Sequence, residues 1–237
     1  MNEPVNSKLH RLIAKFQEYI DLKSDTDKVN TVKSVKAEIP MRGANLWYLI
    51  CSALLASIGL DVNSPAIIIG AMLISPLMSP ILGIGLSFGI HDKEAIFVSL
   101  REFTIAVVLS VFTSTVYFLI SPLGSPTTEI LARTNPTLLD VGVAFFGGVA
   151  GIVAGSRSKA ANAIPGVAIA TALMPPICSA GFGLASGNAH IFFGAIYLFF
   201  INAVFISLSV YFIVRFLNFP YKVYPNTSTK KRMRYAV

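Results

Sequence analysis

The chain has 237 residues, 54% hydrophobic and 13% charged, with a mean hydropathy of +0.68. A soluble domain of that length has no interior large enough for so much apolar surface, so composition excludes one and requires a polytopic membrane protein. The formal charge of +7 would suit nucleic acid, but its distribution argues for the lipid bilayer as partner instead.

Residues 1–43 read as a polar, lysine-rich cytoplasmic arm without the early apolar core of a signal peptide. Leu9, Leu12, Ile13, Phe16, Tyr19 and Ile20 recur at helical spacing among Lys8, Arg11, Lys15 and Lys23. That pattern suits an amphipathic helix on an anionic membrane surface, or a short helix packed on the protein's own cytoplasmic face. A second short helix is expected from Asp27 to Lys36, and Pro40 and Gly43 end the arm.

Span 1 is expected over about residues 44–60, with Trp47 and Tyr48 as interfacial aromatics and Ser52, Ala53, Ala56, Ser57 and Gly59 as small packing positions. Asp61-Val62-Asn63 turns into span 2, residues 64–90, which carries Pro65, Pro76 and Pro80. Proline removes a helical hydrogen bond, and freed backbone groups in lipid need partners within the protein or a wet cavity. Span 2 is therefore expected to be a broken helix among other helices. Span 3 follows over about residues 95–120, and residues 121–137 form an extracytoplasmic linker. Span 4, about 138–155, is glycine-dense (GVAFFGGVAGIVAG), which permits close helix approach and hints at a homo-oligomer. Span 5 is expected over about 161–186, span 6 ends near Leu217, and residues 218–237 are a basic cytoplasmic tail.

Charge tests this order. With the amino terminus inside, Arg133 is the one residue of 19 Lys and Arg that falls outside. That bias places both termini in the cytoplasm and the protein in the inner membrane.

Span 2 has a partial copy. At an offset of 100 residues, Pro65, Ile69, Leu73, Pro76, Ser79 and Gly83 meet Pro165, Ile169, Leu173, Pro176, Ser179 and Gly183. These positions share one side of a helix. Ala95, Ile96 and Phe112 also meet Ala195, Ile196 and Phe212. The fold class read here is all-α integral membrane: six transmembrane helices in a 3+3 inverted-topology repeat, residues 44–120 and 138–217, with spans 2 and 5 broken at proline. Many secondary transporters are built this way, with the site at the midplane between discontinuous helices.

A helix that restarts offers unpaired N–H groups and partial positive charge, and Ser-Pro suits the restart as cap and first residue. Ser75, Pro76, Ser79 and Pro80 fit in the first half; Pro175, Pro176 and Ser179 fit less well in the second. No lysine lies deep in a span, so an anion would rely on helix ends and hydroxyls. Glu102 is the one acidic residue well inside a span, with Asn202 as its mate at the same offset. It either binds a cation or carries a proton, or it pairs with a neighbouring helix or snorkels to the cytoplasmic interface beside Arg101. Thr104, Thr171 and Asn162 are weaker candidates that read more readily as helix-packing groups, and Thr171 is kept in the candidate set. Asp61 and Asp140 read as interfacial or capping residues, and Met72, Met78 and Met174 as packing rather than metal ligands. Cys51 and Cys178 make no CxxC pair or disulfide framework.

The run IGLDVNSPAIIIGAMLISPLMSPILGIG, with the later AIPGVAIATALMPPICSAGFGL, resembles the DUF389 family of uncharacterised hydrophobic membrane proteins over about residues 44–217. The resemblance implies a bacterial or archaeal polytopic membrane protein and carries no activity. Longer members have an additional soluble domain that is not expected here.

The function expected is a secondary transporter or facilitator of a small solute or ion. An ion channel on the same repeat, or a non-transporting scaffold or sensor, stands beside it. No metal-ligand cluster, nucleophile elbow or phosphate loop is visible, so neither enzyme activity nor a cofactor is expected.

Overall fold

A computed structural model describes residues 26–122, 124–156 and 173–222. The amphipathic segment expected within residues 1–25, the first part of span 5 with Asn162 and Thr171, and most of the tail lie outside the described residues. Among the described residues every helix or strand of any length is a helix: α1 (Lys28–Glu38), α2 (Ala44–Asp61), α3 (Pro65–Ile74), α4 (Met78–Gly89), α5 (Lys93–Ile120), α6 (Thr128–Leu131), α7 (Leu138–Gly155), α8 (Met174–Ala185) and α9 (Ala189–Phe216).

Four helices, α2, α5, α7 and α9, are long and apolar enough to cross a membrane. The pair α3–α4 passes the same test together, bent by 53° at its break. At 1.5 Å per residue its two arms sum to about 33 Å, close to the hydrocarbon thickness of a bilayer. The outward faces are apolar, as lipid requires: Phe97, Phe112, Phe146 and Phe193 are all exposed. Trp47 and Tyr48 are exposed at the start of α2, at the level where aromatic rings meet headgroups.

The bundle has two distinct ends. At the α1 end, Asp27 N donates to Ser156 O at 3.0 Å and Lys222 N to Ile90 O at 2.9 Å. Buried Asp92 accepts from Lys36 and Lys222 there. At the α6 end, Thr127 Oγ1 donates to Leu60 O at 2.6 Å and Thr128 Oγ1 to Asn63 Oδ1 at 2.8 Å. The chain leaves the α1 end in α2, returns through α3–α4 and leaves again in α5. From the α6 end it returns in α7, arrives there once more in α8, and goes back in α9.

Helix lengths repeat. Helices α4 and α8 have 12 residues each, and α5 and α9 have 28 each; both pairs start 96 residues apart, at Met78 and Met174 and at Lys93 and Ala189. The 18-residue helices α2 and α7 start 94 apart, at Ala44 and Leu138. Both long helices are capped alike: Asp92 Oδ1 accepts from Ala95 N at 3.1 Å and Asn188 Oδ1 from Ile191 N at 3.2 Å. A side-chain acceptor here satisfies an N–H that the helix itself leaves unpaired.

The interior is small and hydroxyl-rich. Ser57 Oγ donates to Ala53 O at 2.7 Å and lies 2.9 Å from Ser114 Oγ. Ser114 Oγ donates in turn to Cys178 O at 2.9 Å, joining α2, α5 and α8. The glycines of α7 serve this interior too. Gly147, Gly148 and Gly151 are buried, and a Cβ on Gly148 would lie 2.8 Å from Ile206 O of α9. The close approach that glycine permits is thus made within the chain.

Candidate functional site

The break between α3 and α4 uses up most of its own polar groups. Ser75 is the C-cap of α3, and its N–H donates to Met72 O at 3.2 Å. Its Oγ accepts from Leu77 N at 3.4 Å, and Ser79 N donates to Pro76 O at 3.2 Å. The N-cap of α4 is Leu77, without a side-chain cap, so neither Ser75 nor Ser79 caps the restart as expected. Pro80 is the third residue of α4. In a first turn its missing N–H breaks no bond, so the proline marks a helix start rather than a kink.

The start of α8 is similar. Leu173 is the N-cap, and Pro175 and Pro176 follow Met174 in the first turn. They withdraw two of the four N–H groups a helix start would otherwise present. Ile177 N is taken by Leu173 O at 3.4 Å. Neither start is therefore the N–H cradle for an anion that the Ser-Pro pattern suggested. Ser179 lies one turn further in, fully buried, and its Oγ has no hydrogen-bond partner among the described residues.

Glu102 is buried and doubly held. Its Oε1 accepts from the Arg101 guanidinium and its Oε2 from Met41 N at 3.0 Å. Met41 belongs to the connector between α1 and α2, so the carboxylate ties that connector to α5. Arg101 reaches out to the exposed side, as a long cationic chain near a helix end does. Glu102 is thus paired with Arg101 beside it on α5 and with the connector's Met41. In the 96-residue register Glu102 and Asn202 occupy different turns of their helices, as do Ser79 and Ser179.

Two of the expected residues do share a cavity. A cleft of about 320 Å³ opens at the α6 end and is lined by Pro65, Ile68, Met72, Glu129, Arg133, Asp140, Pro176 and Asn202, among others. Pro65 and Met72 are seven residues apart on α3, so the cleft descends about 10 Å along that helix. Its floor is the first turn of α8 and the middle of α9, where buried Asn202 stands. Its mouth is charged. Arg133 Nη2 contacts Glu129 Oε2 at 3.2 Å, while its Nε is buried with no hydrogen-bond partner among the described residues. Asp140 Oδ2 accepts from Thr137 N at 2.7 Å and Thr137 Oγ1 at 2.8 Å, closing a capping box at the start of α7. Asp140 caps, as expected, but it also lines the cleft.

Glu129 and Arg133 were not singled out from the sequence. One signal was available: Arg133 is the basic residue that breaks the charge bias. A larger groove of about 760 Å³ lies between α4, α5 and α9, lined by Phe88, Leu100, Phe103, Phe200 and Val204. Its lining is mostly apolar, so the smaller cleft is the better candidate for recognising a polar solute.

Several apolar helices around a hydroxyl-lined interior define a multi-pass membrane protein. The chain belongs to the family described as "Domain of unknown function (DUF389)", whose profile matches residues 72–208. It is similar to an uncharacterised protein of Methanocaldococcus jannaschii, 26% identical over 194 residues, which are 81% of this chain and 60% of that protein. The chain thus spans less than two thirds of the curated relative it matches. No solved structure matches it.

Proposed function

We propose that the protein is a transporter or facilitator that moves a small solute or ion across the inner membrane, with six crossings in two inverted halves and both termini in the cytoplasm. The cleft is the observation that carries this reading. It leads from a charged mouth into the bundle and stops at the first turn of α8, beside the buried carboxamide of Asn202. A polar entrance that ends on a helix start inside an apolar bundle is what a solute path requires.

The packing map supports the inverted repeat. Exchanging α2 with α7, α4 with α8 and α5 with α9 maps α2–α5 onto α7–α9 and α4–α5 onto α8–α9. It maps α5–α8 onto α9–α4, and α2–α8 onto α7–α4; all eight contacts are present. Alternating access would then rock one half against the other, closing the cleft at the α6 end as a path opens at the α1 end.

The test is solute flux in proteoliposomes of the full chain. A panel of small ions, amino acids and organic acids is offered against Asn202→Leu and Pro65→Trp, which fill the cleft from floor and rim. Uptake of one solute that both substitutions abolish, in variants with unchanged thermal unfolding, is the expected outcome. Wild-type vesicles no leakier to any of the panel than protein-free vesicles would end the proposal.

A further inference from the structure

We infer that the groove between α4, α5 and α9 holds one anionic phospholipid of the leaflet at the α1 end, an acyl chain along the groove and the phosphate at its rim. The inference is independent of the solute path and of the cleft at the α6 end.

The groove encloses about 760 Å³, inside the range of about 300–1,000 Å³ for ligand sites. It runs from Lys93 to Phe103 on α5 and from Tyr211 back to Phe200 on α9. Each stretch covers about 15 Å of helix, half the roughly 30 Å of a bilayer's hydrocarbon core. The recess is therefore one leaflet deep. At its deep end the rings of Phe103 and Phe200 meet edge to face, centroids 6.4 Å apart. Leu100 and Val204, between the two ends, are exposed, so the recess is open along its side. Ser207 Oγ, within it, donates to Ile81 O at 3.3 Å and asks nothing of an occupant.

The rim is cationic. Lys93 and His91 line the groove at the α1 end. The His91 ring meets Tyr221 edge to face at 4.6 Å, and the Arg215 guanidinium lies over that same Tyr221 ring at 4.3 Å. The carboxylates on either side of Lys93 in sequence are engaged by other lysines. Asp92 holds Lys36 and Lys222, and Glu94 holds Lys222 at 3.0 Å. With His91 neutral, the cations Lys36, Lys93, Arg215 and Lys222 exceed these two carboxylates, and this end of the groove stays positive.

That charge selects among occupants. A zwitterionic lipid brings a cation to the rim along with its phosphate, whereas an anionic lipid brings none. Basic recesses between helices on the cytoplasmic side, where the charge bias places the α1 end, suit anionic headgroups. A soluble anion would leave the apolar recess unfilled. A second copy of the chain is a poorer cover. Two copies in one membrane share an orientation, so a twofold contact through the grooves would set two cationic rims at the same height.

The experiment is lipid retention by the purified full chain in detergent, read by native mass spectrometry. Phosphatidylglycerol and phosphatidylcholine with identical acyl chains are compared. One phosphatidylglycerol per chain is expected, retained at a concentration at least roughly tenfold lower than phosphatidylcholine requires. Val204→Trp fills the recess from an exposed position, and Lys93→Gln with Arg215→Gln removes rim charge. Each should bring phosphatidylglycerol down to the level of phosphatidylcholine. If the double variant unfolds, Lys93→Gln alone, at an exposed position, should weaken retention about fivefold. Glycerol phosphate, a headgroup without chains, should not displace the lipid at equal concentration. Equal retention of the two lipids by the wild type overturns the inference. So does a preference that survives Val204→Trp in folded protein, which would assign it to the basic surface at large. Displacement by glycerol phosphate would leave a phosphate site without a lipid. A dimer that Val204→Trp disperses would make the groove an interface between copies, and either result overturns the inference as well.

Discussion

Gly85 and Gly181 make one contact twice. A Cβ on Gly85 would lie 2.7 Å from Val210 Cβ of α9, and a Cβ on Gly181 would lie 2.6 Å from Ser114 Cβ of α5. The two glycines are 96 residues apart, and so are Val210 and Ser114. Helix α4 presses Gly85 against α9, and α8 presses Gly181 against α5.

Alanine at either position is therefore expected to destabilise. The new carbon at residue 85 would overlap Ser207 O, and that at residue 181 would lie 3.0 Å from Thr115 N. Both are backbone atoms that cannot swing aside. Overpacking of this kind costs about 1–3 kcal/mol, more than the ~1 kcal/mol that alanine gains over glycine in a helix. Gly142→Ala, where a Cβ would meet nothing within 4 Å, is the control and should be neutral or stabilising. Thermal unfolding in detergent measures all three.

How far the sequence was legible follows from these same residues. Apolar runs of crossing length, with aromatics at Trp47 and Tyr48, were plain because a bilayer imposes its thickness on any chain that spans it. The register was not. Identities at an offset of 100, such as Pro76 with Pro176, come from apolar segments that use few residue types, where chance matches are frequent. Helices α4 and α8, and α5 and α9, start 96 apart, an offset that would set Pro80 against Pro176 and Gly85 against Gly181. The Ser-Pro pairs have the pattern of caps, yet Ser75 ends one helix and Ser79 sits inside the next. Proline tolerates any position in a first turn, so its presence locates a start only to within two or three residues. Asn202 and Pro176 were named from the sequence and do line the cleft. Glu129 and Arg133 lie in a linker whose fold no periodicity announces.

Glu102 separates a transport role from an anchoring one. Its Oε2 accepts the Met41 N–H inside the protein. Glu102→Ala leaves that buried donor unmet, at a cost of about 1–3 kcal/mol, whereas Glu102→Gln keeps an acceptor. Anchoring predicts that alanine speeds proteolysis and amide exchange across residues 39–43 and that glutamine largely does not. Flux should track the loosening of that connector. A glutamine variant with a fully protected connector and no flux would instead assign the carboxylate's charge to transport.

Asp92 gives the α1 end an acid limit. Burial alone would raise its pKa, but hydrogen bonds from Lys222 and Lys36, and from Ala95 N, outweigh burial and lower it from 3.8 to about 2. A carboxylate depressed on folding contributes stability that is complete above its unfolded value. That contribution is lost as pH falls from about 4 through about 2, and the shift corresponds to roughly 2 kcal/mol. The link holds α1 through Lys36 and the segment after α9 through Lys222. Thermal unfolding followed from pH 7 to pH 2 should drop most steeply below pH 4. Asp92→Asn should start lower at pH 7 and lose that step.

Parity of crossings tests whether α3–α4 is one traverse or a loop that re-enters. Ser34 is exposed on α1, and Ser125 is exposed between α5 and α6. If α2, α3–α4 and α5 each cross, three crossings separate these serines and they face opposite sides of the membrane. If α3–α4 does not cross, only two do, and they face the same side. Single cysteines at 34 and 125, in a chain with Cys51→Ala and Cys178→Ala, report this with a membrane-impermeant maleimide. Labelling at 125 on intact cells, and at 34 only after permeabilisation, is the outcome that the charge bias requires. Equal labelling of both on intact cells would reduce the first half to two crossings. The inverted repeat and the alternating-access reading would then fall together.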